Sequence, residues 1–468
     1  MRICLILEGS YPYTYGGVSS WMHQFIQAMP QHDFVLWVIG AHARDKGVFK
    51  YELAPNVKEV HEVFLDDALK VKALRKNKIR LTDAEKKAIE ALMDCNSPDW
   101  DVLMDMFQNK KYNPTSVLMC DDFLDVLSNL CKEKYPYVAF AETFHTIRSM
   151  LLPVLYLMCS KVPYADIYHS ICTGYGGLLG VLGHFITDKP LVLTEHGIYS
   201  REREEEIIRA QWVIPAFKRQ WIKFFYMLSD AIYKRAMYVT CLFENANKIQ
   251  VDLGADPDKC RVIPNGIRFE RFCDIPLKED DGYIDIGAVI RLAQIKDVKT
   301  LIYSFHELNS HISNVRLHIM GGVDDPEYAK ECYQLVEQLG LKNLKFTGQV
   351  DVVKYMEQLD FTVLTSISEG QPLSVLESFA ARRPVVTTDV GCCRELIEGA
   401  SNDFFGIAGF YAPPMHREGI ASAMLKMCES REKRLEMGEI GRARVEKFFR
   451  HPLMIKRYSE IYDNAYGM

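Results

Sequence analysis

The chain has 468 residues, more than one hydrophobic core usually supports, so two domains of roughly 200 residues are expected. Hydrophobic residues make up 48% of the sequence and charged residues 25%, which is typical of a globular protein in water. The net charge of −6, without a long basic block, argues against nucleic acid as the main partner.

The cysteines and the N-terminus both indicate a cytoplasmic protein. The 13 cysteines are scattered and show no CxxC spacing, which predicts reduced thiols instead of a disulfide framework or a zinc site. The first apolar run meets Glu8 too soon for a signal peptide, and no apolar stretch reaches the roughly 18 residues of a membrane span. Any encounter with a membrane is therefore expected to be peripheral, at the inner face of the plasma membrane and through a partner.

Apolar, strand-like runs alternate with helical patterns along the chain. This alternation predicts an α/β protein with two doubly wound parallel sheets. In the first half, the predicted strands are Ile3–Leu7, Phe34–Ile39, Ile167–Ile171, Leu191–Thr194 and Tyr238–Leu242. In the second half, they are Ile284–Ile290, Arg316–Met320, Leu344–Phe346, Phe361–Leu364 and Val385–Thr387.

Two segments interrupt this alternation and set the predicted domain bounds. Residues 55–135 are charged and helical in period, with a capping box at Thr82 and Glu85, and are interpreted as a helical insertion in the first domain. Residues 272–283 have the charge, Pro and Gly of a linker. We therefore expect an N-terminal domain over 1–275, a C-terminal domain over 276–450, and a helix over 451–468 that packs back on the first domain.

Gly16 and Gly17 lie in the turn between the first predicted strand and a helical pattern. Glycines at such a turn let a ligand approach the backbone and leave N–H groups free to bind it. The spacing differs from the GxGxxG fingerprint of dinucleotide-binding proteins. The alternative is a tight turn at a helix start, without a ligand.

His196 follows the predicted strand Leu191–Thr194. A histidine at the end of a strand can exchange a hydrogen bond with a ligand hydroxyl, although a lone histidine is more often structural. Neither an HExxH spacing nor a GxSxG elbow is present, so the sequence predicts no metal site and no hydrolase triad.

Two basic residues, Arg291 and Lys296, follow the predicted strand Ile284–Ile290. Fixed cations at the carboxyl end of a strand can clamp a diphosphate and stabilise its charge as a leaving group. A pair of solvated cations is the alternative. Asn265, in the turn sequence IPNGI, is a further candidate that also fits a plain turn former.

The stretch FTVLTSISEGQPLSVLESFAA, residues 361–381, carries two carboxylates between an apolar strand and a helical pattern. With Pro372 as first helical residue, the N–H groups of the loop and first turn would point from the carboxyl edge of the sheet, where anions bind. Glu369 and Glu377 would then face one crevice and accept hydrogen bonds from neutral hydroxyls. Two solvated glutamates are the alternative. The backbone donors would come from Gly370, Gln371, Leu373 and Ser374.

Taken in order, these residues resemble glycosyltransferase family 4, whose members have the GT-B fold of two Rossmann-like domains facing a central cleft. The resemblance extends over nearly the whole chain and includes the glycine loop, His196, IPNGI, VIRLAQIKDVKTLI, FTGQV and SEGQPLSVLE. The opening LILEGSYPYTYGGVSSWMHQFI, the helical insertion and TEHGIYSRER resemble the PelF branch, which is associated with Pel-type exopolysaccharide synthesis.

The resemblance implies a transferase that uses a UDP-sugar, retains the anomeric configuration and needs no metal or other cofactor. It also implies that the domain over 1–275 binds the acceptor and the domain over 276–450 binds the nucleotide-sugar donor. Arg291 and Lys296 would hold the diphosphate, with Lys299 able to share the task of Lys296. Glu377 would bind the ribose, and Glu369 and His196 the transferred sugar. Residues expected to bind the nucleotide sugar through backbone or loop contacts are Gly16, Gly17, Asn265, Gln349, Val350, Gly370, Gln371, Pro372, Leu373 and Ser374.

The expected reaction is transfer of a hexose or N-acetylhexosamine to a growing polysaccharide, with docking to an inner-membrane synthase complex. A GT-B sugar-nucleotide epimerase and a catalytically silent sugar-nucleotide-binding subunit are the alternatives. The sequence does not distinguish glucose, galactose, GlcNAc and GalNAc, because that choice depends on the shape of the pocket.

Overall fold

The computed structural model describes residues 1–74 and 79–467, which divide into two compact units. Unit 1 contains residues 1–241, 247–261 and the chain from Tyr458 onward, and unit 2 contains residues 242–246 and 262–457. Each unit is built on one parallel sheet with its own apolar core. The prediction of an α/β protein with two doubly wound parallel sheets is therefore confirmed.

Unit 1 is built on a seven-stranded sheet with the order β3-β2-β1-β4-β5-β6-β7. The central strand β1 has five consecutive residues, Ile3–Leu7, without exposed surface, as expected for a strand covered on both faces. It pairs in parallel with β2 and β4, so Ile3 lies opposite Phe34 and Ile167. The strands are β1 Arg2–Glu8, β2 Asp33–Gly40, β3 Val57–Phe64, β4 Ile167–Ser170, β5 Leu191–Glu195, β6 Tyr238–Cys241 and β7 Cys260–Val262.

Helices pack against this sheet and against one another. They are α1 Gly17–Gln27, α2 Asp83–Asp94, α3 Trp100–Gln108, α4 Pro114–Val117, α5 Asp121–Lys134, α6 Phe140–Met158, α7 Gly174–Thr187, α8 Tyr199–Arg209, α9 Lys218–Arg235 and α10 Glu244–Asp252. Short 3-10 helices occupy Ala43–Asp45, Leu65–Lys70 and Pro215–Phe217.

Unit 2 is built on a six-stranded sheet with the order β10-β9-β8-β11-β12-β13. Its strands are β8 Ile284–Val289, β9 Val315–Met320, β10 Leu344–Gly348, β11 Phe361–Leu364, β12 Val385–Thr388 and β13 Gly409–Ala412. The remaining helices are α11 Val298–His311, α12 Pro326–Gln338, α13 Val352–Tyr355, α14 Leu373–Ala380, α15 Cys393–Glu398, α16 Arg417–Cys428, α17 Arg431–Phe448 and α18 His451–Tyr466. Short 3-10 helices occupy Phe269–Arg271, Gln294–Lys296 and Met356–Gln358.

The predicted insertion begins later than expected. Residues 57–64 form β3, which pairs in parallel with β2, so this part of the segment belongs to the sheet. Valines at 57, 60 and 63 have the spacing of three that also marks a helical face, which explains the helical interpretation. The helical part starts with α2, whose capping box forms as predicted. Residues 75–78 of the predicted insertion lie outside the described residues.

The change from unit 1 to unit 2 also falls earlier than the predicted linker. Residues 262–275, expected in the first domain, are part of unit 2. Ile267, Phe269 and Phe272 are buried in the core of unit 2, so this segment is anchored by apolar burial despite the charged stretch that follows it. The last helix, α18, starts in unit 2 and ends in unit 1.

Each sheet has one point at which the order of strand addition reverses. This switch point lies between β1 and β4 in unit 1 and between β8 and β11 in unit 2. In open parallel sheets, ligands bind outside the carboxyl ends of the strands that flank such a point. Within the described residues, no helix has both the length and the apolar composition needed to cross a bilayer.

Candidate functional site

Two loops meet at the switch point of unit 2, one after β8 and one after β11. Thr365 donates a hydrogen bond from Oγ1 to the carbonyl of Lys296 over 3.0 Å. The N–H of Ile367 donates to the carbonyl of Ile295 over 2.9 Å. These bonds fix the turn that carries Lys296 against the loop that carries Glu369.

Lys296 and Glu369 form an ion pair at this point, between Nζ and Oε1. Ser366 donates a hydrogen bond from Oγ to the same carboxylate oxygen over 2.5 Å. The two charged side chains are only 18% and 14% exposed, which differs from the alternative of freely solvated groups. The structure therefore joins the predicted basic segment and the first predicted glutamate in one site.

The other two predicted cations have different partners. Arg291 is 57% exposed and pairs with Asp324. Lys299 pairs with Glu331 over 2.6 Å, and its ammonium lies 5.1 Å from the centre of the Tyr328 ring. Lys299 thus shares no ion-pair partner with Lys296, which weakens the suggestion that the two lysines share a task.

The helix that follows Glu369 starts one residue later than predicted. Pro372 has an extended backbone (φ −73°, ψ 114°) and precedes α14, so its assignment as the first helical residue is wrong. Its carbonyl accepts the first local hydrogen bond, from the N–H of Val375 over 3.2 Å. Within the described residues, the N–H groups of Gly370, Gln371, Leu373 and Ser374 donate to no acceptor, as a helix N-terminal anion site requires.

A second loop, which the sequence analysis did not consider, holds the backbone of Glu369 in place. The N–H of Cys392 donates to the carbonyl of Gly370 over 3.0 Å. Gly391 has a φ of 56°, and a Cβ there would lie 2.2 Å from the carbonyl oxygen of Glu369. Only glycine fits such an approach in a left-handed conformation. The signal in the sequence was the position of Gly391, which follows β12 after a turn of two residues.

Glu377 lies on α14 with its side chain partly buried. Burial raises the pKa of its carboxyl to about 7, and the positive charge of Arg271 acts in the opposite direction. Among the described residues it has no hydrogen-bond partner. A carboxyl that is partly removed from water without a partner is costly to the fold, which makes Glu377 a candidate for contact with a ligand.

Asn265 and Gln371 lie together in unit 2, which the sequence alone did not indicate. The backbone N–H of Asn265 donates to Oε1 of Gln371 over 2.6 Å, and Oδ1 of Asn265 is buried without a partner among the described residues. A Cβ at the adjacent Gly266 would lie 2.6 Å from the backbone of His451. Gln349 is exposed beyond β10, and Val350 packs on the unit 2 core.

Unit 1 has a cavity of about 700 Å³ at its own switch point. Glu8, at the end of β1, and Glu195, at the end of β5, both line it, and burial raises the pKa of each carboxyl. The sequence analysis did not select either residue. Their only signal was a carboxylate that directly ends an apolar strand, which does not reveal the partners that the fold supplies.

Both carboxylates are held by hydrogen bonds. Glu8 accepts from the hydroxyl of Tyr199 over 3.0 Å and from the N–H of Gly176 over 3.1 Å. Glu195 accepts from the hydroxyl of Tyr233 over 2.6 Å and from Nε2 of Gln250 over 2.9 Å. These bonds satisfy the acidic oxygens from within unit 1, so the two groups shape the cavity.

His196 lines the same cavity, directly after Glu195. Burial lowers the pKa of its imidazole to about 4, so the ring is neutral at pH 7. The ring lies edge to face with Trp21 at a centroid distance of 4.5 Å, and Nε2 is buried without a partner in the described part of the chain. His196 thus has a structural contact with the Trp21 ring, while its buried Nε2 has no hydrogen-bond partner among the described residues.

Gly16 and Gly17 lie where α1 begins, with Gly16 in an extended conformation (φ 173°) that any residue can adopt. A Cβ added at either position would meet no atom within 4 Å. Packing within the chain therefore does not require glycine at these positions, which leaves room for a ligand as the reason for them.

Comparisons with known proteins identify the class to which this arrangement belongs. Residues 274–444 match the family model described as "Glycosyl transferases group 1". The structure resembles that of HepE from Anabaena in complex with UDP, with a TM-score of 0.62 and 15% identity over 99% of this chain and 100% of that one. The chain thus has the GT-B fold and contains a group 1 glycosyltransferase domain.

The remaining part of the chain defines the particular family. Residues 1–258, more than half of the sequence, match the model described as "Domain of unknown function (DUF3492)". The chain belongs to this family.

Two curated relatives each match part of the chain. The MMP alpha-(1->4)-mannosyltransferase of Mycolicibacterium hassiacum is 21% identical over 280 residues, which cover 59% of this chain and 66% of the relative. The capsular polysaccharide biosynthesis glycosyltransferase CapM of Staphylococcus aureus is 24% identical over 306 residues, which cover 62% of this chain and 75% of the relative. The match to the mannosyltransferase thus spans just under two thirds of its length.

Proposed function

We propose that the chain is a retaining glycosyltransferase that moves a hexose or N-acetylhexosamine from a UDP-sugar to a growing polysaccharide. The observation that carries this proposal is the Lys296–Glu369 ion pair in front of α14, at the switch point of unit 2. One side of the pair is a cation for the diphosphate. The other is a carboxylate for the sugar hydroxyls.

The diphosphate fits the combination of Lys296 and the start of α14. The N–H groups of Gly370, Gln371, Leu373 and Ser374, which have no acceptor among the described residues, and the positive end of the helix favour an anion at this edge of the sheet. When the bond between the anomeric carbon and the phosphate oxygen breaks, negative charge develops on the diphosphate. A fixed ammonium at that place stabilises the leaving group and can replace a metal ion in that role. Arg291 supplies a second, more exposed cation.

Retention follows if the acceptor attacks the face of the sugar that the leaving group departs from. The acceptor oxygen then bonds to the anomeric carbon and its proton passes to the departing phosphate oxygen. Glu369 positions the donor sugar by accepting from its hydroxyls, and neither glutamate acts as a nucleophile. His196 contacts the sugar as a neutral group, since its pKa of about 4 excludes an imidazolium at neutral pH.

The nucleoside is assigned to the other predicted residues of unit 2. The carboxyl of Glu377 is partly buried and has no partner among the described residues, and it accepts from the ribose hydroxyls. Asn265 and Gln371 lie close enough to act together. Gln349 and Val350, at the end of β10, contact the base. Gly16 and Gly17 have open backbone that suits contact with a nucleotide sugar.

The biological setting is proposed to be Pel-type exopolysaccharide synthesis in the cytoplasm, with docking to an inner-membrane synthase complex. The PelF-like opening segment, the insertion helices α2 to α5 and TEHGIYSRER support this setting. The test is copurification of the intact protein with the membrane synthase. Recovery of the protein in the soluble fraction alone, with the synthase present, would contradict the docking.

The catalytic proposal is tested by measuring UDP release from UDP-glucose, UDP-galactose, UDP-GlcNAc and UDP-GalNAc with oligosaccharide acceptors. We expect acceptor-dependent release with one donor class, and at least a tenfold loss in Arg291→Ala and in Glu377→Ala. Lys299→Ala is the matched control, because its ammonium is paired with Glu331. Binding without turnover would favour the silent subunit, and conversion between UDP-sugars without transfer would favour an epimerase.

A further inference from the structure

The cavity of unit 1 has the place and size of a ligand site. It is formed by the ends of β1, β2, β4 and β5 and by α8, at the switch point of the sheet. Its volume of about 700 Å³ lies within the range of pockets that enclose small molecules. The unpartnered, buried Nε2 of His196 at its wall is a second sign of a missing polar partner.

The basic group of the cavity is already neutralised. Among the described lining residues, Arg203 is the one lysine or arginine. It donates to Glu206 over 2.5 Å, lies 3.8 Å from Glu8, and stacks at 5.0 Å from the centre of the Tyr199 ring. A ligand anion would have to displace these partners to reach the guanidinium.

One carboxylate, that of Glu202, remains free to contact a ligand. Glu8 and Glu195 are held by the hydrogen bonds given above, whereas the carboxylate of Glu202, on an exposed residue, has no hydrogen bond or ion pair with a described residue. A Cβ at Gly197 would lie 2.1 Å from Oε1 of Glu202, so this carboxylate lies directly over a residue that has no side chain. The concave surroundings raise the pKa of Glu202, and the charge of Arg203 opposes that shift.

We infer that this cavity holds the end of an acceptor glycan that carries no negative charge, and that Glu202 is the residue that excludes anionic sugars. Sugar hydroxyls can donate to the free carboxylate, while a phosphate or uronate would meet three carboxyl groups and a cation with partners. The inference rests on the proposed function and specifies its acceptor class.

The test measures acceptor binding directly, without turnover, on the full-length protein at pH 8. Neutral trisaccharides of glucose, galactose, GlcNAc and GalNAc are compared with the corresponding glucuronate and galacturonate trisaccharides by calorimetry and by saturation-transfer NMR. At least one neutral trisaccharide should bind, and its uronate counterpart should bind about tenfold more weakly, as expected for a like charge held close to the carboxylate of Glu202. In Glu202→Gln, the difference should fall below about threefold.

Glu205→Gln is the matched control on the same helix. Glu205 is 69% exposed, pairs with Arg209 over 3.5 Å and does not line the cavity, so this variant should keep the tenfold difference. Both positions are accessible, and unchanged thermal unfolding verifies that each variant folds. The inference is overturned if uronates bind as tightly as neutral sugars, if Glu202→Gln keeps the wild-type preference, or if no neutral sugar binds.

Failure of this inference can be told apart from failure of the proposed function. A protein that transfers sugar to an anionic acceptor would contradict the inference and support the function. A protein that binds neutral trisaccharides with the expected preference, but releases no UDP from any donor, would support the inference and contradict the proposed function.

Discussion

The two switch points share one topology and differ in their charged groups. In unit 1, two buried carboxylates are saturated by tyrosine, glutamine and backbone donors, and the cavity between the strand ends stays open. In unit 2, the strand ends carry a lysine–glutamate pair and a helix start whose N–H groups are free. On the proposals made above, one scaffold provides a pocket for neutral groups in unit 1 and an anion site in unit 2.

The largest expected effect tests the unit 2 side of this comparison. Lys296→Ala should lower turnover by about 10² to 10³-fold, because it removes the cation that is proposed to stabilise the leaving group. UDP release under saturating donor measures it. The cost in unfolding free energy should be about 1–2 kcal/mol, since Glu369 loses its partner in a half-buried place.

Lys299→Ala is the control for that experiment and should keep wild-type turnover to within about twofold. An equal loss in both variants would mean that the two lysines share the task after all. Wild-type turnover in Lys296→Ala would remove the basis for placing the diphosphate at this switch point.

The unit 1 side of this comparison is tested by the free energy of unfolding. Glu195→Ala should lower the free energy of unfolding by about 3 kcal/mol, because it leaves Tyr233 and Gln250 with unpaired donors in a buried place. Urea denaturation measures the loss. A change below about 0.5 kcal/mol would show that this carboxylate is not part of the scaffold.

Glu377 provides a pH-dependent test. Its folded pKa of about 7 lies above the ordinary value of 4.5, so the folded state binds the proton more tightly than the unfolded state. The stabilisation that the tighter proton binding gives to the folded state is complete below pH 4.5 and is lost as the pH rises through 7. Between pH 5 and pH 8, the free energy of unfolding of Glu377→Gln should therefore rise by about 2 kcal/mol relative to that of the wild type.

The matching binding experiment follows UDP affinity over the same pH range. A carboxylate that accepts ribose hydroxyls should bind UDP more tightly as it ionises around pH 7, and Glu377→Gln should remove that pH dependence. If wild type and variant have the same pH profile for unfolding and for UDP, the assignment of Glu377 is wrong.

The smallest effect concerns the glycine turn of unit 1. Gly16→Ala should change the free energy of unfolding by less than about 0.5 kcal/mol, because the new Cβ has open space and the backbone is extended. Turnover should nevertheless fall by about tenfold if a ligand approaches that backbone. Unchanged turnover would assign the glycines to the turn alone.

Much of the fold could be predicted because apolar runs mark buried parallel strands directly, as in Ile3–Leu7 and Phe361–Leu364. The strands that escaped prediction lack that signal. Val57–Phe64 is an edge strand with charged residues between its valines, and Cys260–Val262 and Gly409–Ala412 are short.

The parts of the candidate site that depend only on the position of a residue after a strand could be predicted. Lys296 and Glu369 each follow a predicted strand, so their common edge could be inferred, but their ion pair depends on hydrogen bonds between two distant loops. Glu8 and Glu195 could not be selected, because the donors that hold them come from other helices.

The central claim is that the switch point of unit 2 binds a nucleoside diphosphate. Calorimetric titration of the full-length protein with UDP tests it most directly. We predict saturable binding of one UDP per chain that a UDP-sugar displaces, weakened at least tenfold in Lys296→Ala and unchanged in Lys299→Ala. Absence of UDP binding to the wild-type protein, or equal affinity in wild type and Lys296→Ala, would contradict the claim.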